Sequence, residues 1–335
     1  MRRLVDALAT ANALRRLALA SIIANVGIIV TGGAVRLTGS GLGCPTWPRC
    51  TDDSYVTTPE MGFNGVIEFG NRLLTFVVGA VALVGLISAL LHKPRRPGTV
   101  KWSALVLAGI PAQGVVGGFT VLTNLNPYVV GCHFLVSVGI VAAAYMFWTA
   151  AGGGPKVGGW AAPGALRALG WSVVAASLLV VVLGVVVTGS GPHAGDADAR
   201  RTGLDIEAVS QLHADAVFLL IGLSVGLWLA VRAAGGPARA AAVLVAVELA
   251  QGFVGFAQYL THLPELLVGL HMFGACLVWV ATLAAFTTVS APRAAAVEGP
   301  GGGPFTLPET LTRTPRGQRD PAPGGDANDL LGLSR

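Results

Sequence analysis

Eight long apolar runs, separated by short polar segments, constrain this chain more than any other feature. They cover roughly 17–36, 66–91, 102–122, 129–150, 168–188, 209–231, 239–259 and 265–289. A bilayer's hydrocarbon core is spanned by about 20 apolar residues in a helix, and each run is about that long. In lipid every backbone N–H and C=O must find a partner within the protein, so only helices and closed barrels cross. The runs are too long for barrel strands and lack period-two alternation. The composition excludes the other classes. Hydrophobic residues make up 53% and charged residues only 12%, about half the ~25% of a soluble domain. So few charges cannot cover a soluble globule, and so many apolar residues exclude a disordered chain. The fold class expected is an all-α membrane protein with eight transmembrane helices.

The net charge of +5 points to membrane orientation rather than to nucleic acid, because the bases sit in short loops. With the N-terminus inside, the inner segments carry twelve Lys and Arg: Arg2, Arg3, Arg15, Arg16, Lys93, Arg95, Arg96, Lys101, Lys156, Arg167, Arg232 and Arg239. The outer ones carry five: Arg36, Arg49, Arg72, Arg200 and Arg201. This asymmetry predicts a multi-pass protein of the cell membrane with both termini in the cytoplasm. The basic start and first apolar run could serve as a cleaved signal, but the run is long and no cleavage site follows cleanly, so retention is expected. Residues 1–16 form a short cytoplasmic N-terminus. Residues 291–335, rich in Gly, Pro, Ala and Arg, are expected to be a disordered cytoplasmic tail.

The two halves repeat each other. Gln113-Gly114-Val115-Val116-Gly117 aligns with Gln251-Gly252-Phe253-Val254-Gly255, and at the same offset Leu122-Thr123 meets Leu260-Thr261 and His133 meets His271. Ten of 21 positions are identical across this window. Farther upstream, the stretch from Gly27 to Gly32 resembles that from Gly184 to Gly189. Each half, 17–150 and 151–290, then holds four helices. An even number of crossings makes the halves parallel repeats, two four-helix bundles with equivalent residues at equal depth. Each half can carry one site, and both sites face the outer side.

Of six histidines, His92, His193 and His262 fall in loops and read as solvated. His133, His213 and His271 fall inside apolar runs, where an ionisable residue marks a functional site by default. All three lie one or two turns below the outer end. Two imidazoles from facing helices suit the axial positions of a haem, so His213 and His271 are the expected ligand pair, with structural interhelical hydrogen bonding as the competing reading. Gly252, Gly255, Gly269 and Gly274 would let a flat ring approach. No Cys, His and carboxylate cluster supports zinc. In the first half His133 matches His271, but Asn71 stands where the second half has His213. Glu68 lies one turn before Asn71 on the same face. It either pairs with Arg72 or a neighbour, or handles protons beside a porphyrin edge.

Cys44 and Cys50 lie in the first outer loop, where an oxidising compartment allows a disulfide. Such a bridge closes too small a loop to add much stability, so a redox or local ordering role competes with a structural one. Cys132 and Cys276 read as packing residues within helices. Glu248 is a buried acid three residues before Gln251 with no evident role. The outer arginines are candidates for meeting haem propionates.

Together these residues resemble the haem A synthase family. The resemblance covers roughly 17–290. It rests on Thr31-Gly32-Gly33-Ala34-Val35-Arg36-Leu37-Thr38-Gly39-Ser40-Gly41-Leu42, on Cys44 and Cys50 with Pro45 and Trp47-Pro48, and on Ile67-Glu68 with Asn71-Arg72. Gln113-Gly114 with His133, His213 and His271 completes it. The resemblance implies eight helices in two halves and oxidation of the C8 methyl of haem O to a formyl group, giving haem A for cytochrome oxidase. It implies haem b as cofactor, ligated by His213 and His271. His133, with Asn71 and Arg72, belongs to the substrate-haem site, Glu68 is essential for activity, and Cys44–Cys50 is the outer disulfide. At Asn71 the chain departs from the family, which commonly has a second His there. Haem O synthase and cytochrome oxidase assembly factors are the partners implied, beside membrane lipid, and a homo-oligomer stays open. The alternatives are a di-haem b-type electron-transfer protein, which would keep four His, and a transporter, which would show broken helices at mid-membrane.

Overall fold

The computed structural model describes residues 2–291, so the expected tail, Ala291 apart, lies outside the described residues. These are helical, with no strand among them. After a short helix α1 (Arg2–Leu8) come eight long ones: α2 (Ala11–Leu37), α3 (Gly62–Leu91), α4 (Thr99–Leu122), α5 (Pro127–Ala150), α6 (Gly164–Ser190), α7 (Ile206–Ala233), α8 (Arg239–Leu260) and α9 (Glu265–Ser290). All eight are long and apolar enough to cross a membrane. This is a multi-pass membrane protein.

Most helices begin two to six residues before their apolar runs, and in α2, α5 and α7 a polar cap accepts from a first-turn N–H group. Thr10 accepts from the Ala13 N–H at the start of α2, and Asp205 from the Ala208 N–H at the start of α7. Asn126 caps α5, with Pro127 as its first residue. The N-terminal segment is more ordered than a bare extension. Ser88 donates to the Leu8 carbonyl at 2.7 Å, and the His92 Nδ1 donates to the Ala9 carbonyl at 2.8 Å. His92 is buried, which corrects its reading as a solvated loop residue. The apolar surroundings make that hydrogen bond necessary.

Helices α2 to α5 pack consecutively, with α5 returning to α2; α6 to α9 do the same, with α9 returning to α6. The two rings meet through α2, α5, α6 and α9. Ile29, Val138, Val141, Tyr145, Cys276 and Trp279 form the core between them. Across it the Trp279 indole donates to the Val138 carbonyl at 3.1 Å, and the Tyr145 and Thr287 hydroxyls pair at 3.2 Å. A separate core inside the second ring is built on Val173, Leu220, Leu227, Leu244 and Val289.

The repeat is legible in backbone geometry. After α4, Asn124 and Leu125 both have positive φ, and after α8 His262 and Leu263 do too. Left-handed conformation is uncommon for such residues. Its recurrence at equivalent positions gives the α4–α5 and α8–α9 hairpins the same tight turn. Thr123 and Thr261 close each turn by donating to the carbonyls of Phe119 and Ala257.

Candidate functional site

Helices α3, α5, α7 and α9 start at the end of the bundle that carries the 38–61 segment. Asn71, His133, His213 and His271 each fall within their first three turns. All are half-buried. Each imidazole rests its Cε1 edge on a glycine of the preceding helix. A Cβ built on Gly117 would stand 3.1 Å from His133, one on Gly184 3.2 Å from His213, and one on Gly255 3.1 Å from His271. Three helix pairs thus share one device: a missing side chain lets the edge of a ring approach the neighbouring backbone. The fourth pair lacks it. Gly27, the equivalent of Gly184, has nothing within 4 Å, since Asn71 is shorter than His. Instead the Asn71 amide oxygen accepts from the Thr31 hydroxyl at 2.8 Å.

The histidine backbones are fixed in the same way in both halves. The Gln113 amide donates to the His133 carbonyl at 2.8 Å, and Gln251 donates to the His271 carbonyl at 2.7 Å. Gln113 also donates to Ser137. Of the glycines expected to make room, Gly255 abuts a site histidine. Gly274 instead faces the Gln251 amide, Gly269 faces Leu37, and Gly252 has no neighbour within 4 Å.

Glu68 occupies a clamp. Its Oε1 pairs with Arg72 at 2.6 Å, and its Oε2 accepts the Cys44 N–H at 2.6 Å. Arg72 donates onward to the carbonyls of Cys44 at 2.9 Å and of Thr46 and Arg49, both at 3.1 Å. One buried ion pair on α3 therefore holds the 44–50 loop by its backbone. Cys44 and Cys50 are disulfide-bonded and fully buried. Trp47 lays its indole where a Gly118 Cβ would stand, so the loop is seated on α4 as well. Two of the remaining outer arginines staple loops. Arg36 donates to the carbonyls of His193 and Thr188, at 2.5 and 2.8 Å, and Arg201 to those of Ala199 and Pro192, at 2.5 and 2.7 Å. The Gly41 N–H donates to the Gly195 carbonyl at 2.8 Å, joining loops from both halves above the histidines. Cys132, beside His133, is exposed rather than packed. It lines an apolar groove between α4 and α5 with Val116, Phe119 and Tyr128.

The family model for COX15-CtaA, described as cytochrome oxidase assembly protein, matches residues 15–196. That is more than half of the 335 residues. This chain belongs to the COX15-CtaA family.

It is similar to proteins named heme A synthase. The one from Geobacillus kaustophilus is 30% identical over 111 residues, 33% of this chain and 34% of that protein. The one from Geobacillus thermodenitrificans is 29% identical over 111 residues, again 33% and 34%. The one from Listeria welshimeri is 29% identical over 113 residues, 33% and 37%. The chain thus matches about a third of the length of each relative. Cys44, Cys50, Glu68, Asn71, Arg72 and His133 lie within the family match, whereas His213 and His271 lie beyond it and rest on the internal repeat.

Membership in the family implies haem, and the donor set fits one. The Nδ1 atoms of His133, His213 and His271 are buried with no hydrogen-bond partner. In each ring Nδ1 lies nearer the facing glycine than Nε2 does, so Nε2 is the nitrogen turned from the neighbouring helix and would be the one to meet a ligand. Among the described residues no group of three His, Cys, Asp or Glu could hold a bare metal ion. A macrocycle brings four nitrogens of its own and asks only for axial ligands. The sequence did not reveal the Gly117, Gly184 and Gly255 contacts or the role of Gln113 and Gln251. The repeat marked those glutamines as matched, but only packing shows what they hold.

Proposed function

We propose that this protein oxidises the C8 methyl of haem O to the formyl group of haem A. The observation that carries this reading is the pairing of two unlike sites in one repeated frame. One has two imidazoles, His213 and His271, set on glycines. The first half has His133 on a glycine and, at the position matching His213, Asn71 bonded to Thr31, with a disulfide loop clamped by Glu68 and Arg72 at the same end. The family match and the named relatives support the same reaction.

In this reading His213 and His271 hold haem b, which supplies one-electron transfer when bound. A haem held by both imidazoles would supply electron transfer rather than substrate chemistry. His133 binds the substrate haem, and Asn71 leaves its other face less strongly ligated. Two successive hydroxylations of one methyl give a geminal diol, which loses water to form the aldehyde. Each hydroxylation adds the oxygen of one water molecule, breaks one C–H bond, and releases two electrons to an external one-electron acceptor and two protons to solvent. Glu68 keeps a negative charge at the substrate's edge, where positive charge develops at the reacting carbon. Arg72 and the Cys44 N–H hold that carboxylate in place. The loop they secure excludes water from above. The 17–150 half carries the substrate and the 151–290 half the cofactor, both near the outer face, with the termini in the cytoplasm. Haem O synthase and cytochrome oxidase assembly factors are the proposed partners.

Pigment analysis of the full-length protein, purified from cells that make haem O, tests the proposal. Haem b together with haem O or haem A is the expected result. Haem b alone, with no conversion of added haem O, would overturn it in favour of a di-haem electron carrier.

A further inference from the structure

Four buried polar side chains sit in the second half far from the histidines. Glu248 on α8 is 3% exposed, Ser224 on α7 and Thr282 on α9 are 0%, and Ser177 on α6 is 1%. Ser224 donates to the Glu248 Oε1 at 2.8 Å, and Thr282 donates to the Ser177 hydroxyl at 3.2 Å. Ser224 lies eleven residues beyond His213, and Thr282 eleven beyond His271. At 1.5 Å per residue both offsets place the layer about 16 Å deeper than the imidazoles. The first half has no counterpart. At the repeat offsets, Ser177, Ser224, Glu248 and Thr282 become Ala20, Ala82, Ile110 and Ala144. The first bundle also buries polar groups near this depth, Ser21 and Asn25 on α2, but none of them is a carboxyl.

The Ser177–Thr282 pair is ordinary interhelical hydrogen bonding. Glu248 differs, because its Oε2 is buried with no partner. A carboxylate left that way in an apolar bundle is costly, and a proton on the free oxygen removes the cost. Other titratable groups on the packed helices lie well away along the axis. On α7 the nearest are Asp215, nine residues from Ser224, His213, eleven residues away, and Arg232, eight residues the other way. On α9 they are Cys276, six residues from Thr282, and His271. On α8 itself Arg239 is nine residues away and Tyr259 eleven. No cation holds the charge.

We propose that Glu248 is a proton-binding site that loads when the C-terminal redox centre gains an electron. This rests on the reading of His213 and His271 as haem b ligands. An electron added to that centre makes a nearby negative charge more costly in a low-dielectric bundle. One electron enters the centre from a one-electron donor, and one proton passes from water to Oε2. The only bond formed is O–H.

Reduced-minus-oxidised infrared difference spectra of the full-length haem-loaded protein, reduced with dithionite in H2O and D2O, test this. The expected result is a carboxylic acid carbonyl band that appears on reduction and shifts down in D2O. It should be lost in Glu248→Gln and in Glu248→Ile, which installs the residue found at position 110. Ser224→Ala keeps the carboxyl and should shift the band. The midpoint potential should fall with rising pH in the parent, and more shallowly in Glu248→Gln. A haem-loaded parent with no such band, or a band that survives in Glu248→Gln, overturns the proposal alone. A parent without a low-spin haem b signal overturns the ligand reading and this proposal together.

Discussion

His213, His271 and the glycines beneath them set what the site can bind. His213→Ala and His271→Ala are each expected to abolish a low-spin haem b spectrum, because one lost axial nitrogen leaves five-coordinate iron. A full low-spin signal in both variants would refute the assignment. The glycine contacts allow a sharper comparison. Gly184→Ala puts a methyl 3.2 Å from the His213 ring, whereas its equivalent Gly27 has nothing within 4 Å. Gly184→Ala should tilt the imidazole and shift the haem b spectrum, and Gly27→Ala should leave it unchanged. Optical spectra of the two purified variants decide it; equal effects would mean that the glycine contact does not control the ligand. Glu68→Gln keeps shape but removes the charge. It is expected to retain haem b and to accumulate haem O or a hydroxylated intermediate. Haem A formation at the parental rate would leave Glu68 as a loop clamp alone.

The 44–50 loop behaves as an element of its own, because a disulfide, an ion pair and a Trp–Gly contact all act on it. Closing six residues contributes little by chain entropy. Hydrogen bonds to a charged group contribute about 1.5–3 kcal/mol each, so Arg72, with three carbonyl partners, holds the loop more firmly than the disulfide does. Arg72→Met should make Cys44 and Cys50 open to mild reductant and alkylation several-fold faster than in the parent, with the helical content unchanged. Equal labelling rates, read by mass spectrometry, would place the loop's stability in the disulfide and Trp47 instead. The sequence placed Glu68 and Arg72 one turn apart, but it left open whether they bond each other. Their loop partners, the Cys44 N–H for Glu68 and three carbonyls for Arg72, lie more than 20 residues upstream, and no local pattern encodes such a contact.

At the scale of the molecule, the two rings hold together by apolar packing and a few buried hydrogen bonds. Trp279→Phe removes the bond to the Val138 carbonyl and should cost about 0.5–1.5 kcal/mol. That is read as a lower thermal unfolding temperature in detergent, with haem binding retained. An unchanged unfolding temperature would show that the rings are held by apolar contact alone. The charge asymmetry makes a topological prediction. In a Cys132→Ser background, Ser54→Cys should react with an impermeant thiol reagent in intact cells, and Arg95→Cys only after permeabilisation. The opposite pattern would invert the proposed orientation.

Hydrophobic length alone determined that eight helices span a membrane, because lipid leaves a backbone of this composition no other way to satisfy its polar groups. Self-similarity marked His133 with His271 and Gln113 with Gln251 as equivalent pairs, since equal residues at one offset need only the chain to be seen. Only the tertiary structure decided what these residues touch. It seated the imidazoles on Gly117, Gly184 and Gly255, buried His92 against Ala9, exposed Cys132 and bound Glu68 to the Cys44 backbone. Each of these depends on which face of one helix meets which face of another. In a helix apolar all round, periodicity carries little record of that choice, so the contacts emerge only once the helices are packed.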